Sequence, residues 1–208
     1  MDDAQTTREK LLDAAARLFV ARGIDNVSIA EIVREAGQRN ASAVHYHFGN
    51  RNGVFRALLA RHVPAIADRR VKLIERARAQ PDGDVRSAAE AIVRPITEFA
   101  QRGWRERAYL QIGSELAGSM ERTTAEIQAL LSETAGFEAW ELLRQRCRSL
   151  PTDLWIERRT ICTAFIGRAA ADRARLLDGG GEHPVLSDDR FVDNLVAMVV
   201  GAMTAPST

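Results

Sequence analysis

Between Ser28 and Gly49 the chain fits two apolar-periodic segments of about two turns each around a polar turn, and this spacing restricts the fold more than any other feature. A helix that short does not hold in water by itself, because nucleation costs more than a few backbone hydrogen bonds restore. The first segment opens on Ser28, with Glu31 placed to complete a capping box. It sets Ile29, Ile32, Val33 and Ala36 on one face and stops at Gly37. The second covers Asn40 to His47, and Gly49-Asn50 breaks it ahead of a long run from Arg51. Both must be braced by neighbours. A preceding helix, with Thr6 and Glu9 as its capping pair and Gly23 as its stop, puts Leu11, Leu12, Ala15, Leu18 and Phe19 on one face. With Ile32, Val33, Val44, Phe48 and Phe55 these side chains make a small core. Two short helices joined by a glycine-containing turn and braced by a third are the sequence form of a helix-turn-helix.

The remainder is also helical in spacing, and no sustained apolar/polar alternation occurs, so the expected fold class is all-α. The run from Arg51 carries Phe55, Leu58, Leu59, Val63 and Ile66 and reaches Arg78, with Pro64 expected to kink or split it. Gln80-Pro81-Asp82-Gly83 reads as a linker. Segments 84–101, 104–117, 122–149, 152–178 and 188–204 follow, separated by Gly103, Gly118, Pro151 and Gly179-Gly180-Gly181. The expectation is a three-helix helix-turn-helix domain over 1–50 joined to a helical bundle over 51–208, about nine helices in all, with 51–78 as connector.

Outward from the second short helix and its turn stand Gln38, Arg39, Asn40, Ser42, His45 and Tyr46, hydrogen-bonding side chains rather than the Glu/Lys mixture of a solvated face. Arginine can bond a guanine edge bidentately, and asparagine or glutamine can do the same with adenine. The whole chain is nearly balanced, with 29 basic and 28 acidic side chains, so a polyanion-binding surface requires local segregation. Residues 39–78 hold nine basic and two acidic side chains, an excess of seven that suits phosphate contact, Arg51 beside the turn above all. The stretch from Arg69 to Arg78 reads equally well as the solvated side of a long helix.

Other chemistry finds little support. Cys147 and Cys162 are too far apart for a CxxC and have no zinc-finger histidines, so both are expected to be core thiols, with no metal or cofactor. His45 and His47, two apart on a helix, project to opposite sides and cannot chelate one ion; His62 and His183 stand alone. No phosphate loop, HExxH or GxSxG is present, which argues against an enzyme. The acidic start without an apolar core, and the lack of a long apolar run, favour a cytoplasmic chain without a membrane span. An α-helical enzyme and an oligomeric scaffold are the competing readings, and neither explains the polar face after a capped two-turn helix.

Residues 7–59 resemble the N-terminal domain of the TetR family of repressors. Phe19 with Gly23, Ser28 with Ile32, Ala36-Gly37 and Tyr46-His47-Phe48 match the family pattern in order and spacing. The turn Gln38-Arg39-Asn40 is one residue longer than the usual form, and His45 stands where the family has a tyrosine that reaches phosphate. The resemblance implies a phosphate contact from His45 or Tyr46, another from Ser28 at a helix N-terminus and a basic contact from Arg51. It also implies that the C-terminal part binds a small-molecule effector and dimerises, that double-stranded operator DNA is the partner, and that the protein is a repressor.

For the effector pocket the candidates are Phe99, Trp104, Tyr109, Ile112, Glu115, Phe137 and Trp140, with Pro95 expected to open a gap beside them. For a homodimer interface they are Trp155, Phe165, Ile166, Phe191, Leu195 and Val199, on two terminal helices apolar enough to need cover.

Overall fold

A computed structural model describes residues 2–40, 42–117, 125–179 and 184–207. The helices are α1 (Asp2–Arg22), α2 (Ile29–Glu35), α3 (Ser42–Phe48), α4 (Arg51–Ala60), α5 (Val63–Arg78), α6 (Val85–Thr97), α7 (Trp104–Ala117), α8 (Ala125–Ser132), α9 (Gly136–Arg146), α10 (Thr152–Asp178) and α11 (Asp188–Thr204), with 3-10 turns at Ile24–Asn26 and Glu98–Gln101. No strand occurs among the described residues, and the all-α expectation holds. Gly118, Gly180, Gly181 and His183 lie outside the described residues.

Two boundaries differ from expectation, and the expected break in the run from Arg51 is present. The first helix begins at Asp2, which makes Thr6 an interior residue rather than a cap. The run from Arg51 splits at Arg61-His62, and Pro64 falls in the first turn of α5, where its missing N–H has no partner to lose. The segment 122–149 also divides, at an α8–α9 turn where Ala135 sits at φ 55°, a left-handed conformation that costs an L-residue about 1 kcal/mol. Among the described residues eleven α-helices therefore stand where about nine were expected.

Packing forms two apolar clusters. In the first, Leu11, Leu12 and Phe19 of α1 meet Ile32, Val44, Phe55 and Leu59, and the cluster continues through Tyr109 and Ile112 of α7. In the second, Leu73 and Ile74 of α5 join Val93, Leu143, Trp155, Val196 and Val199. Cys147 and Cys162 are buried there as free thiols, as expected, and burial raises the pKa of both.

Pro95 accounts for one buried cation of the second region, Arg70. The proline lies inside α6 and donates no hydrogen bond to the carbonyl of Ala91, one turn back. Arg70 supplies that donor from α5, its Nε 3.3 Å from the Ala91 oxygen, while Nη1 donates to the Thr134 carbonyl at 2.5 Å in the α8–α9 turn. Burial lowers the Arg70 pKa to about 10, so it remains a cation at neutral pH. Pro95 thus leaves an acceptor that a buried guanidinium answers.

Where α1–α4 meet α7, polar groups hold the two parts in register. Asp13 accepts from Arg105 at 2.8 Å and 2.5 Å and from Arg61 at 2.8 Å. Burial pushes the Asp13 pKa up, but the hydrogen bonds from both arginines outweigh it, leaving the carboxyl below its ordinary value. Beneath them His62 is buried, edge-on to Phe99 and tilted against Tyr109, at ring separations of 5.4 Å and 5.2 Å.

Candidate nucleic-acid interface

The α2–α3 unit is closed by its own hydrogen bonds. Ser28 accepts from the Glu31 N–H at 3.3 Å, and its own N–H donates to the Glu31 carboxylate at 2.9 Å, so the expected capping box is present. That backbone hydrogen bond is the main reason the Glu31 pKa lies below its ordinary value. At the other end Gly37 takes φ 68°, and the N–H groups of Gly37 and Gln38 return to the carbonyls of Arg34 and Val33, a Schellman closure that only glycine adopts without strain. Ile32, Val33 and Val44 are buried beneath the pair.

The outward side chains are placed as expected, though two also support the structure. Arg39, Asn40, Ser42, His45 and Tyr46 are exposed and Gln38 is half-buried. Tyr46 is 82% exposed at the middle of α3. The Asn40 carboxamide oxygen accepts from the Ser42 N–H at 2.9 Å, which starts α3, so Asn40 keeps only its amide N–H groups for a ligand. His45 Nδ1 donates to the Gly49 carbonyl at 2.8 Å, fixing the ring and turning Nε2 outward.

Bracing from α4 depends on a residue that periodicity does not flag. Asn50 caps α4 by accepting from the Gly53 N–H at 2.9 Å. A Cβ on Gly53 would lie 1.8 Å from the Phe48 carbonyl oxygen, so the end of α3 approaches α4 only because this residue is glycine. The sequence signal was Arg51-Asn52-Gly53, a glycine within a helical run.

Arg51 is half-buried, with its guanidinium carbon 5.9 Å from the centre of the Phe19 ring. Four other basic residues of 39–78 are paired within the chain: Arg56 with Glu126, Arg61 with Glu9 and Asp13, Arg69 with Glu98 and Arg78 with Glu138, while Lys72 and Arg76 are exposed. Arg70 is interior. Part of the sequence excess of seven is thus structural, and Arg39 is an exposed cation on the α2–α3 turn.

The pocket candidates do not converge. Phe99, Tyr109 and Ile112 are buried together with His62. Trp104 lies between the guanidinium groups of Arg17 and Arg105, and Glu115 accepts from the Ile24 N–H at 3.1 Å, tying α7 to the turn before α2. Phe137 is 72% exposed, and Trp140 packs on Trp155 in the other cluster. Apolar periodicity selects residues that are inside without saying which interior they share.

Among the interface candidates, Trp155, Ile166, Leu195 and Val199 are buried in this chain's own core. Phe191 packs under the Arg173 guanidinium, and Phe165 faces outward. The opposite faces of the same helices carry Ile156, Ile161 and Met198, all exposed, beside Gly201.

Residues 11–58 match the family model for bacterial regulatory proteins of the tetR family. The head is thus similar to the DNA-binding part of that family, and the chain as a whole has the fold of TetR-family regulators. Over 58 residues the chain is 38% identical to the HTH-type transcriptional regulator SrpR of Pseudomonas putida, and over 53 residues 38% identical to AcrR of Shigella flexneri. These segments are 28% and 26% of this chain, and they span 27% and 24% of those relatives. Among solved structures, NalD of Pseudomonas aeruginosa, the secondary repressor of the MexAB-OprM multidrug efflux pump, is 23% identical with a TM-score of 0.61, covering 96% of both chains. FadR of Bacillus halodurans, a fatty acid degradation regulator, gives a TM-score of 0.63 at 15% identity over 94% of this chain and 95% of its own. Among the described residues no helix is long and apolar enough to cross a membrane.

Proposed function

We propose that the protein is a cytoplasmic transcriptional repressor that binds a near-palindromic operator as a homodimer and is released by a small-molecule effector. The observation that carries this reading is the outer face of α3 and its turn: exposed Arg39, Ser42, His45 and Tyr46 on a short helix capped at its start and braced by α1 and α4. Such a face offers donors and acceptors to base edges, while the Ser28 end of α2 presents a helix N-terminus to backbone phosphate. Residues 1–50 serve as the reading head, α4 and α5 as the connector, and the rest of 51–208 as the sensing and dimerising part. The exposed Ile161, Phe165 and Met198 support pairing through α10 and α11. A twofold axis there sets two α3 helices about 34 to 36 Å apart, one turn of B-DNA.

The test is a gel shift against the DNA flanking the protein's own gene, with unrelated DNA as competitor. A saturable complex is expected, and Arg39→Ala should weaken it by about 10-fold or more on the cognate sequence while leaving non-specific binding nearly unchanged. Equal affinity for all DNA, or no complex, overturns the reading. The name of NalD favours repression over activation by likeness of fold.

A further inference from the structure

The largest cavity described in this molecule, about 720 Å³, lies between the head and the start of α8. Phe19, Phe48, Phe55 and Ile127 give it apolar walls, and Arg51 lines one side. The Arg51 Nε and Nη2 atoms are buried and have no hydrogen-bond partner. These two nitrogens form one edge of the guanidinium, and the same molecule shows what that edge takes. Arg69 uses Nε and Nη2 to grip Glu98 at 2.7 Å and 3.0 Å, and Arg105 uses the same pair on Asp13 at 2.8 Å and 2.5 Å. Arg51 holds no such carboxylate. Two acidic side chains line the same cavity, but Asp25 bonds neither orphan nitrogen, and Glu126 pairs with Arg56 at 3.0 Å. An unsatisfied charged donor is costly, and a native fold that keeps one beside a cavity has a reason outside its own contacts.

We propose that this cavity is a binding site for a small carboxylate with a flat apolar body, gripped side-on by Arg51 while its body packs among the three phenylalanine rings. Solvent does not reach either nitrogen, so entry of the ligand turns the guanidinium toward the cavity its side chain already lines. Planar carboxylate recognition requires the fork of arginine, which a point charge does not reproduce. If the operator reading above holds, the ligand withdraws Arg51 from the DNA backbone and wedges α4 against α8, and the cavity is then an effector site. Binding of the carboxylate itself does not depend on that reading.

The experiment is calorimetric titration of the DNA-free protein with 2-naphthoate, its neutral analogue 2-naphthamide, and inorganic phosphate. Saturable binding of naphthoate is expected, at least tenfold tighter than the amide or phosphate. Arg51→Met should abolish it and Arg51→Lys weaken it at least tenfold. Because the substitution to methionine removes an unpaired buried charge, its thermal midpoint should equal or exceed that of the wild type. No naphthoate binding, equal binding of the amide, equal binding of phosphate, or binding unchanged in Arg51→Met each overturns the proposal. A large fall in the midpoint of Arg51→Met also overturns it, by making Arg51 structural. Naphthoate binding without any DNA complex leaves the carboxylate site standing and removes the operator reading; a DNA complex insensitive to bound naphthoate removes only the link between them.

Discussion

The head and the larger helical body solve the same problem with different means. In the head, short helices are held by caps and turns: Ser28 with Glu31, Gly37 in its left-handed turn, Asn40 before α3, Asn50 before α4. In the body, long helices are held by side chains reaching across, such as Arg70 to Ala91 and Thr134, and Arg146 to the carbonyls of Ala77 and Asp84. Local devices are written at fixed sequence offsets, whereas cross-helix ones join residues separated by dozens of positions. A fold read from sequence is therefore sharper in the head.

The largest expected effect breaks the head alone. Gly53→Ala places a methyl group 1.8 Å from the Phe48 carbonyl, and neither backbone yields without moving α3 from α4. A loss of about 3 kcal/mol or more is expected, with DNA binding gone, as read by denaturant unfolding and gel shift. Gly113→Ala is the control, since nothing lies within 4 Å of its added Cβ; it should stabilise α7 by about 0.5 to 1 kcal/mol.

In the body, Leu195→Ala should cost about 2 to 5 kcal/mol, because Leu195 is 2% exposed in its own chain. Met198→Glu, one turn away on the outer face, should leave the protomer's unfolding midpoint nearly unchanged while lowering dimer mass in sedimentation. If Met198→Glu unfolds the chain instead, the division between inner and outer faces of α11 is wrong.

His62 sharpens the comparison, because it sits where the two regions meet. Burial lowers its pKa to about 4, with the Glu106 carboxylate opposing and Arg61 and Arg105 adding to the shift. The folded state holds the ring neutral, whereas the unfolded chain protonates it near pH 6.5, so stability is full above that pH and falls as pH drops toward 4. About 2 kcal/mol should be lost between pH 7.5 and 5. His62→Leu should flatten that slope in urea titrations across the window; an unchanged slope assigns it to other groups.

These particulars show what was legible. Apolar spacing located every described helix of the head and the outward set on α3, because both follow from a 3.6-residue period. It offers Trp155, Ile166, Leu195 and Val199 for an interface where this chain's own core already buries them, since periodicity reports that a face is buried and not whether its own chain or a second copy buries it. It read the basic run of 39–78 as segregated charge, because Glu98, Glu126 and Glu138 that neutralise part of it lie far along the sequence. Gly53 was read only as part of a helix, since its need is set by another helix's carbonyl.

The smallest effect separates structure from contact at a single residue. Ser28 is exposed and caps α2, and the TetR resemblance also gives it a phosphate. Ser28→Ala removes the cap and should cost about 1 kcal/mol of stability. Ser28→Asp keeps an acceptor for the Glu31 N–H but faces the Glu31 carboxylate to which the Ser28 hydroxyl donates at 2.7 Å, so its stability should fall by about as much as that of Ser28→Ala. A carboxylate facing a DNA phosphate is also repelled, so the same variant should lose operator affinity by about tenfold at low salt, with the deficit shrinking as salt screens it. If Ser28→Asp binds operator as the wild type does, Ser28 is a cap and nothing more, and the phosphate contact belongs elsewhere on the head.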